Sequence, residues 1–517
     1  RDTDNVTNKM VFKGNIEYLT ENEIGIRLRA TQQNPSVLPA ESLYAIEHDT
    51  MDTTFRSMYQ GLYIYLSARK ERRDLLLSQR PPRFDESLDS MISRSEDDFT
   101  RIALKAKAAQ DYFLLIGPPG TGKTSCALKK MVETFHADKD AQILLLSYTN
   151  RAVDEICKSL ASIAPAVDFI RVGSELSCDE AYRGHLIENE LSSCNRRSEV
   201  YERIRNCRII VGTVAAISGK PELFRLKHFD VAIIDEATQI LEPQLLGILC
   251  ARGEDGKDAI DKFVLIGDHK QLPAVVQQNT EQSAIYDESL LSIGLTNLKD
   301  SLFERLYRNC TATVHRSYDM LCRQGRMHPE VALFANRAFY GGRLIPVGLP
   351  HQIESSDTIC RLAFYPSVPE KAGASAKINY SEARIVADLA VRIYEDHQTD
   401  FDESRTLGII TPYRSQIALI KKEIESLGIP ALNRILVDTV ERFQGSERDV
   451  IIYSFCVNYP YQLKFLSNLT EEEGVLIDRK LNVALTRARK QMFITGVPEL
   501  LERNPLYKSL LKLIESF

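Results

Sequence analysis

The sequence predicts an α/β protein with two parallel-sheet domains of the same architecture. Two series of short apolar runs carry this prediction, one between about residues 110 and 270 and one between about 405 and 497. Each run is bounded by turn residues and has helical stretches around it, the pattern of strands that are covered on both faces. A glycine-rich segment, GPPGTGKT, directly follows the first run.

The first series consists of DYFLLIG, AQILLLSYT, CRIIVGT, FDVAIID and KFVLIGD, and the second of RTLGIITP, RILVDTV, DVIIYSFC and KQMFITG. We therefore expect a first domain over residues 99–310 and a second over 311–517. A polar, helical insert is expected within the first domain at about 174–206.

Residues 1–50, ahead of these domains, have the period of strands. In EIGIRLRA, Ile24, Ile26 and Leu28 alternate with two arginines, which is typical of a half-buried strand. We expect a small β-barrel-like accessory domain here. A hairpin that decorates the next domain is the open alternative.

Residues 51–98 are expected to form a stalk helix and a linker. Aromatic and leucine side chains recur at intervals of three and four between residues 55 and 66, which predicts a helix with one apolar stripe. The stretch RPPRFDESLDSMISRSEDD is rich in proline and then in serine and acids, a composition typical of a linker.

Composition excludes several classes of protein. The chain has 517 residues, 44% of them hydrophobic and 26% charged, with a net charge of −6. That charge argues against a generally basic nucleic-acid coat, although a local basic groove is compatible with it. No run approaches about 18 apolar residues, so no membrane span is expected. Ten cysteines without any CxxC indicate free thiols in a reducing, cytoplasmic setting.

The segment GPPGTGKT fits the pattern GxxxxGK[ST] between a strand and a helix. Its backbone N–H groups can surround phosphate oxygens, Lys123 can neutralise the β- and γ-phosphates, and the Thr124 hydroxyl can hold Mg²⁺. The helix N-terminus adds its positive end. The expected nucleotide-binding residues are Gly117, Pro118, Pro119, Gly120, Thr121, Gly122, Lys123, Thr124 and Ser125.

Acidic and amide side chains follow two later strands. Asp235 and Glu236 end FDVAIIDEATQ; Asp235 suits Mg²⁺ and Glu236 suits activation of the attacking water. Helix capping is the alternative role for such acids. Gln271, in VLIGDHKQLP, can sense a γ-phosphate, and a plain strand-to-helix turn is the alternative there.

Arginines near the C-terminus and in CRQGRMHPEV are further candidates. LNVALTRARK holds Arg487 and Arg489 on a helical pattern, and arginine suits the charge on a transferring phosphoryl group. A surface helix with solvated arginines is the alternative. Read alone, Arg326 in CRQGRMHPEV lies in a turn before a helix.

The motifs occur in an order that resembles the superfamily 1 helicases. They are GPPGTGKT, SYTNRAVDE, VGT, DEATQ, GDHKQLP, SLFERL, QGRMHP, GIITPYRSQ, VDTVERFQGSERD and NVALTRARK. The chain is most similar to the 5′→3′ branch that contains the nonsense-mediated-decay RNA helicase and the Okazaki-fragment nuclease-helicase. This resemblance covers about residues 105–500 and implies two RecA-like domains with ATP and Mg²⁺ between them.

The resemblance also implies roles for individual residues. Gln271 would couple the γ-phosphate to domain closure, Arg326 and Arg487 would reach that phosphate from the second domain, and Glu447 would contact the nucleotide. The 174–206 insert matches a nucleic-acid-facing subdomain of relatives. Contacts to a single strand would fall on Thr149, Asn150, Thr213, Pro412, Tyr413, Arg414 and Thr439.

Two departures from the resembled pattern concern the base of the nucleotide. DDFTRIALKAKAAQ has no glutamine at the distance where relatives place one that reads adenine. Gly325 stands where relatives have a tyrosine that stacks on the base. The sequence therefore predicts weak discrimination between ATP and other nucleoside triphosphates.

The expected activity is ATP-dependent movement from 5′ to 3′ on single-stranded nucleic acid, and the branch resembled favours DNA over RNA. The start at Arg1 suggests a piece of a longer chain, in which a nuclease domain would lie upstream. An RNA helicase of the decay type and a nucleotide-driven clamp that does not unwind are the open alternatives.

Overall fold

A computed structural model describes residues 12, 14–28, 44–46, 53–276, 278–313, 315–355, 359–370, 375–472 and 474–516. The chain divides into two compact units, Arg1–Thr53 and Thr54–Phe517. None of the helices in the described part of the chain has the length and apolar character that a bilayer crossing requires.

The first unit contains an antiparallel hairpin of β1 (Gly14–Leu19) and β2 (Ile24–Leu28). Ile24 is half-buried, but Ile26 is exposed, because a two-stranded ribbon has little apolar surface to cover it. The expected β-barrel is not confirmed, since most of the remaining residues of this unit lie outside the described part.

The stalk is two helices rather than the single helix expected, α1 (Thr53–Leu66) and α2 (Lys70–Leu76). Gly61 lies directly against a helix of the first domain, because a Cβ on Gly61 would come within 2.2 Å of the carbonyl oxygen of Pro243. Leu75 and Leu76 of α2 are fully buried. The stalk is therefore part of the first domain's core.

The segment 80–98, which was expected to be a linker, packs on the first domain. It contains a 3₁₀ turn and α3 (Asp89–Arg94). Arg80 and Arg83 donate hydrogen bonds to the buried carboxylate of Asp111 at 2.8 and 2.9 Å. Burial alone would raise the pKa of Asp111, but these two guanidinium groups hold it well below its usual value.

The first domain is built on a seven-stranded parallel sheet. Its strands are β3 (Tyr112–Ile116), β4 (Ile143–Ser147), β5 (Phe169–Val172), β6 (Ile209–Thr213), β7 (Phe229–Ile234), β8 (Ile260–Gly267) and β9 (Tyr318–Met320), in the order β5-β6-β4-β7-β8-β3-β9. Alternate residues of β3 enter opposite cores, Phe113 and Leu115 on one face and Leu114 and Ile116 on the other. This double burial explains the continuous apolar runs in the sequence.

Helices cover both faces of this sheet. They are α4 (Asp98–Ala108), α5 (Lys129–His136), α6 (Asn150–Ala161), α7 (Ile187–Glu190), α8 (Arg197–Asn206), α9 (Val214–Ser218), α10 (Glu222–Leu226), α11 (Glu242–Leu249), α12 (Glu288–Ser292) and α13 (Leu302–Ala312). The insert at 174–206 consists of α7, α8 and two 3₁₀ turns.

The first domain extends beyond residue 310, where its end was expected. The edge strand β9 pairs in parallel with β3, with Leu114 opposite Tyr318. The chain therefore leaves the first domain after about residue 321.

The second domain has a five-stranded parallel sheet in the order β12-β18-β15-β13-β14. The strands of the second domain are β10 (Arg323–Gln324), β11 (Ile345–Pro346), β12 (Leu362–Pro366), β13 (Leu407–Ile410), β14 (Leu436–Asp438), β15 (Arg448–Ser454), β16 (Leu469–Glu472), β17 (Val475–Asp478) and β18 (Ala488–Gly496). Two small pairs stand outside the main sheet: β10 pairs in parallel with β11, and β16 is antiparallel to β17.

Its helices are α14 (Pro329–Tyr340), α15 (Pro350–Ile353), α16 (Tyr380–Asp396), α17 (Arg414–Ser426), α18 (Val440–Phe443), α19 (Leu463–Leu466), α20 (Arg479–Leu485), α21 (Pro498–Leu501) and α22 (Pro505–Ile514). Both domains thus have the doubly wound architecture that the sequence predicts. The edge strands β5, β9 and β12 were not among the predicted runs.

Candidate nucleotide site and strand-binding surface

The glycine-rich loop between β3 and the following helix adopts a conformation that requires glycine at two positions. Gly120 and Gly122 have φ angles of 74° and 76°, which side chains with a Cβ rarely adopt. The Thr121 hydroxyl closes the turn by donating to the carbonyl oxygen of Pro118 at 2.7 Å. Lys123 then begins a helical segment, π-helical over Lys123–Leu128, that continues as α5.

The register of the sheet brings the acidic residues to this loop. Ile116, which ends β3, lies opposite Gly267 of β8, and Ile234, which ends β7, lies opposite Leu265. The carboxyl ends of three adjacent parallel strands therefore meet at one edge, where ligands bind in such sheets.

Side-chain contacts join the loop to the acidic pair. The Thr124 hydroxyl donates to Asp235 Oδ2 at 2.5 Å, and Lys123 Nζ lies 3.3 Å from Glu236 Oε1. Glu236 has a φ of 53°, so the backbone turns sharply between the two acids. A hydroxyl and a carboxylate in contact form the hard oxygen set that Mg²⁺ prefers.

Burial and neighbouring charges shift the pKa values of Asp235 and Glu236 in opposite directions. Burial and the adjacent charge of Glu236 raise the pKa of Asp235 to about 6. Burial would also raise the pKa of Glu236, but the Lys123 ammonium and a hydrogen bond from Gln239 lower it. Glu236 is therefore a carboxylate at neutral pH, the state that a group orienting a water molecule needs.

The second domain touches the glycine-rich loop through its backbone. The N–H of Gly325 donates to the carbonyl oxygen of Gly120 at 2.8 Å. A Cβ on Gly120 would lie 2.4 Å from Cβ of Arg326, so this glycine is also needed for the close approach of the two domains.

Arg326 and Glu447 form an ion pair on the second domain, with Nε 2.5 Å from Oε2. Arg326 also donates to the carbonyl oxygen of Thr486 at 3.3 Å. Arg489 lies 3.7 Å from Glu447 and 3.3 Å from Asp449, so it supports this pair. Burial opposes ionisation of Glu447, but the nearby Arg326 lowers its pKa.

Arg487 lies at the domain interface and contacts Gln271. Its Nη2 donates to Gln271 Oε1 at 3.3 Å, and its side chain is 2% exposed. Burial and the like charge of Arg326 lower the pKa of Arg487. A buried guanidinium with a neighbouring cation favours an anion beside it.

The space beside Gly325 is lined by apolar side chains. A Cβ on Gly325 would lie 3.2 Å from Leu349 Cδ1 and 3.4 Å from Val347 Cγ2. Sequence reasoning missed both residues, because the parallel pairing of β10 with β11, rather than any motif, brings them next to Gly325.

Most of the predicted strand-binding residues lie at carboxyl ends of strands. Ser147, at the end of β4, is opposite Thr213, and Ile410, at the end of β13, is opposite Asp438. The positions at or just after these strand ends therefore share one edge within each domain. Those positions are Thr149, Asn150, Thr213, Pro412, Tyr413, Arg414 and Thr439.

Several of these side chains also have local structural partners. The hydroxyls of Thr149 and Thr213 accept hydrogen bonds from the backbones of Ala152 and Ala216 and cap α6 and α9. The phenol oxygen of Tyr413 accepts from Gln462 Nε2 at 3.1 Å. Arg414 is exposed and can approach a phosphate directly.

Comparison with known proteins agrees with this geometry. Two family models, both described as AAA domain, match residues 298–499 in one case and residues 94–200 and 187–279 in the other. The two parallel-sheet domains and the glycine-rich loop have the fold of a P-loop helicase.

Curated proteins that are similar in sequence to this chain are DNA helicases and helicase/nucleases. The DNA replication ATP-dependent helicase/nuclease DNA2 of Gallus gallus is 29% identical over 502 residues, which cover 92% of this chain and 45% of that protein. The protein of the same name from Homo sapiens is 28% identical over 540 residues, with 92% and 46% covered. The DNA polymerase alpha-associated DNA helicase A of Saccharomyces cerevisiae is 24% identical over 536 residues, with 89% and 73% covered.

The chain is similar in sequence to superfamily 1 helicases of the Dna2 type. It spans about half the length of the helicase/nucleases that it matches.

Proposed function

We propose that this chain hydrolyses ATP in response to single-stranded DNA and uses the cycle to move along the strand from 5′ to 3′. One observation carries the proposal. Residues of both domains meet at the glycine-rich loop, where Gly325 N–H contacts the carbonyl oxygen of Gly120 at 2.8 Å. A nucleotide bound at this place would be held by both domains at once.

The residues of the first domain would bind the phosphates and prepare the attacking water. Lys123 would face the β- and γ-phosphates, and Thr124 and Asp235 would hold Mg²⁺, which neutralises phosphate charge when bound. Glu236 would orient the water, because its carboxylate is ionised at neutral pH. The hydrogen bond of Thr124 to Asp235 supports this assignment, because it places the two oxygens side by side.

The second domain would supply positive charge to the γ-phosphate. Arg326 and Arg487 have partners, Glu447 and Gln271, that hold them at the interface. Two arginines from one domain, bound to a phosphate held by the other, would keep the cleft closed until hydrolysis. Glu447 is also expected to contact the nucleotide.

The strand would cross the edges of both sheets. Hydroxyl, amide and guanidinium groups hold phosphates without reading bases, so the expected contacts suit any sequence. DNA is proposed rather than RNA because the curated relatives compared above are named as DNA replication or DNA helicases. Direction rests on the resemblance to the 5′→3′ branch. A nuclease domain in the same protein is proposed because the DNA2 relatives of Gallus gallus and Homo sapiens are named helicase/nucleases.

Strand displacement tests this function. A DNA duplex with a 5′ single-stranded tail is expected to be unwound in the presence of ATP and Mg²⁺, while a duplex with only a 3′ tail is not. Lys123→Ala should unwind neither. Stimulated hydrolysis without displacement or translocation would favour a clamp, and preference for an RNA tail would favour the decay type.

A further inference from the structure

A ring of buried polar side chains, closed by a short stretch of backbone, crosses between the two domains beside the nucleotide site. The Tyr340 hydroxyl donates to Asp268 Oδ2 at 2.7 Å, and Gln271 Nε2 donates to the same oxygen at 2.7 Å. Gln271 Oε1 accepts from Arg487 at 3.3 Å. Asn482 Nδ2 donates to the Tyr340 oxygen at 2.8 Å. The ring closes through backbone, because Asn482 lies in α20 and Arg487, two residues beyond the end of α20, donates to the carbonyl oxygen of Val483 at 3.1 Å.

Every member of the ring is withdrawn from solvent. The exposed fractions are 1% for Asp268, 5% for Gln271, 1% for Tyr340, 0% for Asn482 and 2% for Arg487. Buried polar groups of this kind keep their partners, because losing one leaves a desolvated group unpaired. The ring is therefore a rigid unit while the domains are in contact.

The ring orients the amide of Gln271. Its nitrogen is held by Asp268 and its oxygen by Arg487, so a flip of the amide would break both bonds. Tyr340 fixes the Asp268 oxygen that holds the nitrogen. Burial and the charge of Asp268 raise the pKa of Tyr340 well above its usual value, so the phenol stays a donor.

Tyr340 is also connected to Arg326. It is the last residue of α14 (Pro329–Tyr340), which begins three residues after Arg326. At 1.5 Å per residue the helix is about 18 Å long. The helix α14 thus begins three residues after Arg326, and its last residue, Tyr340, is hydrogen-bonded to the Asp268 carboxylate that also accepts from Gln271.

We infer that Tyr340 is a positioning residue for ATP hydrolysis, which acts through Asp268 to present the Gln271 amide and Arg487 to the γ-phosphate. The inference rests on the proposed function. Tyr340 is not among the site residues expected from the sequence. Asn482 holds Tyr340 in place, because its Nδ2 donates to the Tyr340 oxygen and also to the carbonyl oxygen of Lys270 at 2.7 Å.

The variant Tyr340→Phe removes only the hydroxyl. It is expected to lower kcat for DNA-stimulated ATP hydrolysis about tenfold and to leave KM for ATP within twofold. The affinity for a fluorescent ADP analogue should also stay within twofold. Tyr507→Phe is the matched control, because the buried Tyr507 hydroxyl donates to Asp478 at 2.8 Å within the second domain. It should lose similar thermal stability and keep kcat.

A double variant distinguishes positioning from a general structural effect. If Tyr340 acts through Gln271, adding Tyr340→Phe to Gln271→Ala should lower kcat by less than twofold. A further tenfold loss in that background, or an unchanged kcat in the single variant, would overturn the inference. Should Tyr340→Phe not fold, Asp268→Asn keeps the shape of the ring and is expected to give the same kinetics.

The failure of the proposed function would look different. A wild-type chain that hydrolyses no ATP with or without single-stranded DNA would overturn the proposed activity itself, before any variant is compared.

Discussion

The backbone N–H of Gly325, in the second domain, donates to the carbonyl oxygen of Gly120, in the phosphate-binding loop, across 2.8 Å. Arg326 directly follows Gly325 in the sequence. The hydrogen bond of Gly325 therefore fixes how near Arg326 comes to the loop. Because backbone groups make it, its geometry depends on the absence of a side chain at Gly120.

Gly120→Ala is expected to abolish ATP hydrolysis. The new Cβ would lie 2.4 Å from Cβ of Arg326, at a φ of 74°, so the domains would have to separate. Gly256→Ala is the matched control, because Gly256 has the same φ and no described atom lies within 4 Å of its Cβ position. The control should cost about 1 kcal/mol of stability from backbone strain alone and keep full turnover. Comparable turnover of both variants would contradict this account.

Arg326→Ala is expected to retain nucleotide binding and lose turnover. An arginine at a transferring phosphoryl group contributes roughly 10³–10⁵ in kcat, so hydrolysis should fall by about a hundredfold or more. Arg434→Ala, which removes an exposed arginine paired with Glu403, is the control and should behave as wild type. The measurements are steady-state phosphate release and titration with a fluorescent nucleotide. Retained turnover in Arg326→Ala would reject the assigned role.

Asp235→Asn is expected to stabilise the nucleotide-free chain while abolishing hydrolysis. The pKa of Asp235 is raised to about 6, so the folded state binds its proton more tightly than the unfolded state. That stability is present below the ordinary pKa and is lost as pH rises through about 6. The variant should therefore melt at a higher temperature than wild type at about pH 7.5, with a smaller difference near pH 4.5.

Asp111→Asn is expected to change the melting temperature in the opposite direction to Asp235→Asn. The pKa of Asp111 is lowered by Arg80 and Arg83 despite burial, so its stabilisation is present above the ordinary pKa of aspartate and is lost as pH falls. This variant should melt at a lower temperature than wild type at about pH 7.5. Shifts of the same sign for both variants in thermal melts would show that these charges do not act as described.

The four nucleoside triphosphates are expected to support hydrolysis at rates within about tenfold of one another. Gly325 offers no ring to the base, and Val347 and Leu349 fill the space beside it; an aromatic stacking contact is worth about 0.5–1.5 kcal/mol. The double variant Gly325→Tyr/Leu349→Ala, which makes room for a ring, should raise the preference among bases, and Leu349→Ala alone is its control. A strong preference of the wild type for ATP would contradict the prediction.

The sequence allowed much of the site to be predicted, because parallel strands align their carboxyl ends. GPPGTGKT and DEATQ each follow a strand of the parallel sheet. Because the carboxyl ends of these strands lie at one edge, Lys123 and Glu236 are expected to lie close together. The long apolar runs were predictable for the same reason, since both faces of each strand are buried. The strands β5, β9 and β12 lie at sheet edges. β9 and β12 are mostly half-buried, and β5 contains Arg171, so none of the three shows such a run.

Other features depend on packing that no local pattern reveals. Tyr340 reads as one more apolar residue of α14, and only the docking of that helix against the first domain brings its hydroxyl to Asp268. The segment 80–98 has the composition of a linker, but Arg80 and Arg83 are held by Asp111, which comes later in the chain. The stalk has a helical period throughout, although it breaks between Leu66 and Lys70.

Steady-state phosphate release with and without single-stranded DNA tests most directly the claim that both domains form one DNA-responsive ATPase site. We predict that an unstructured oligodeoxythymidine stimulates hydrolysis by at least about tenfold, and that Lys123→Ala and Arg487→Ala each abolish the stimulated rate. Hydrolysis that is indifferent to DNA, or that survives loss of either residue, would contradict the account.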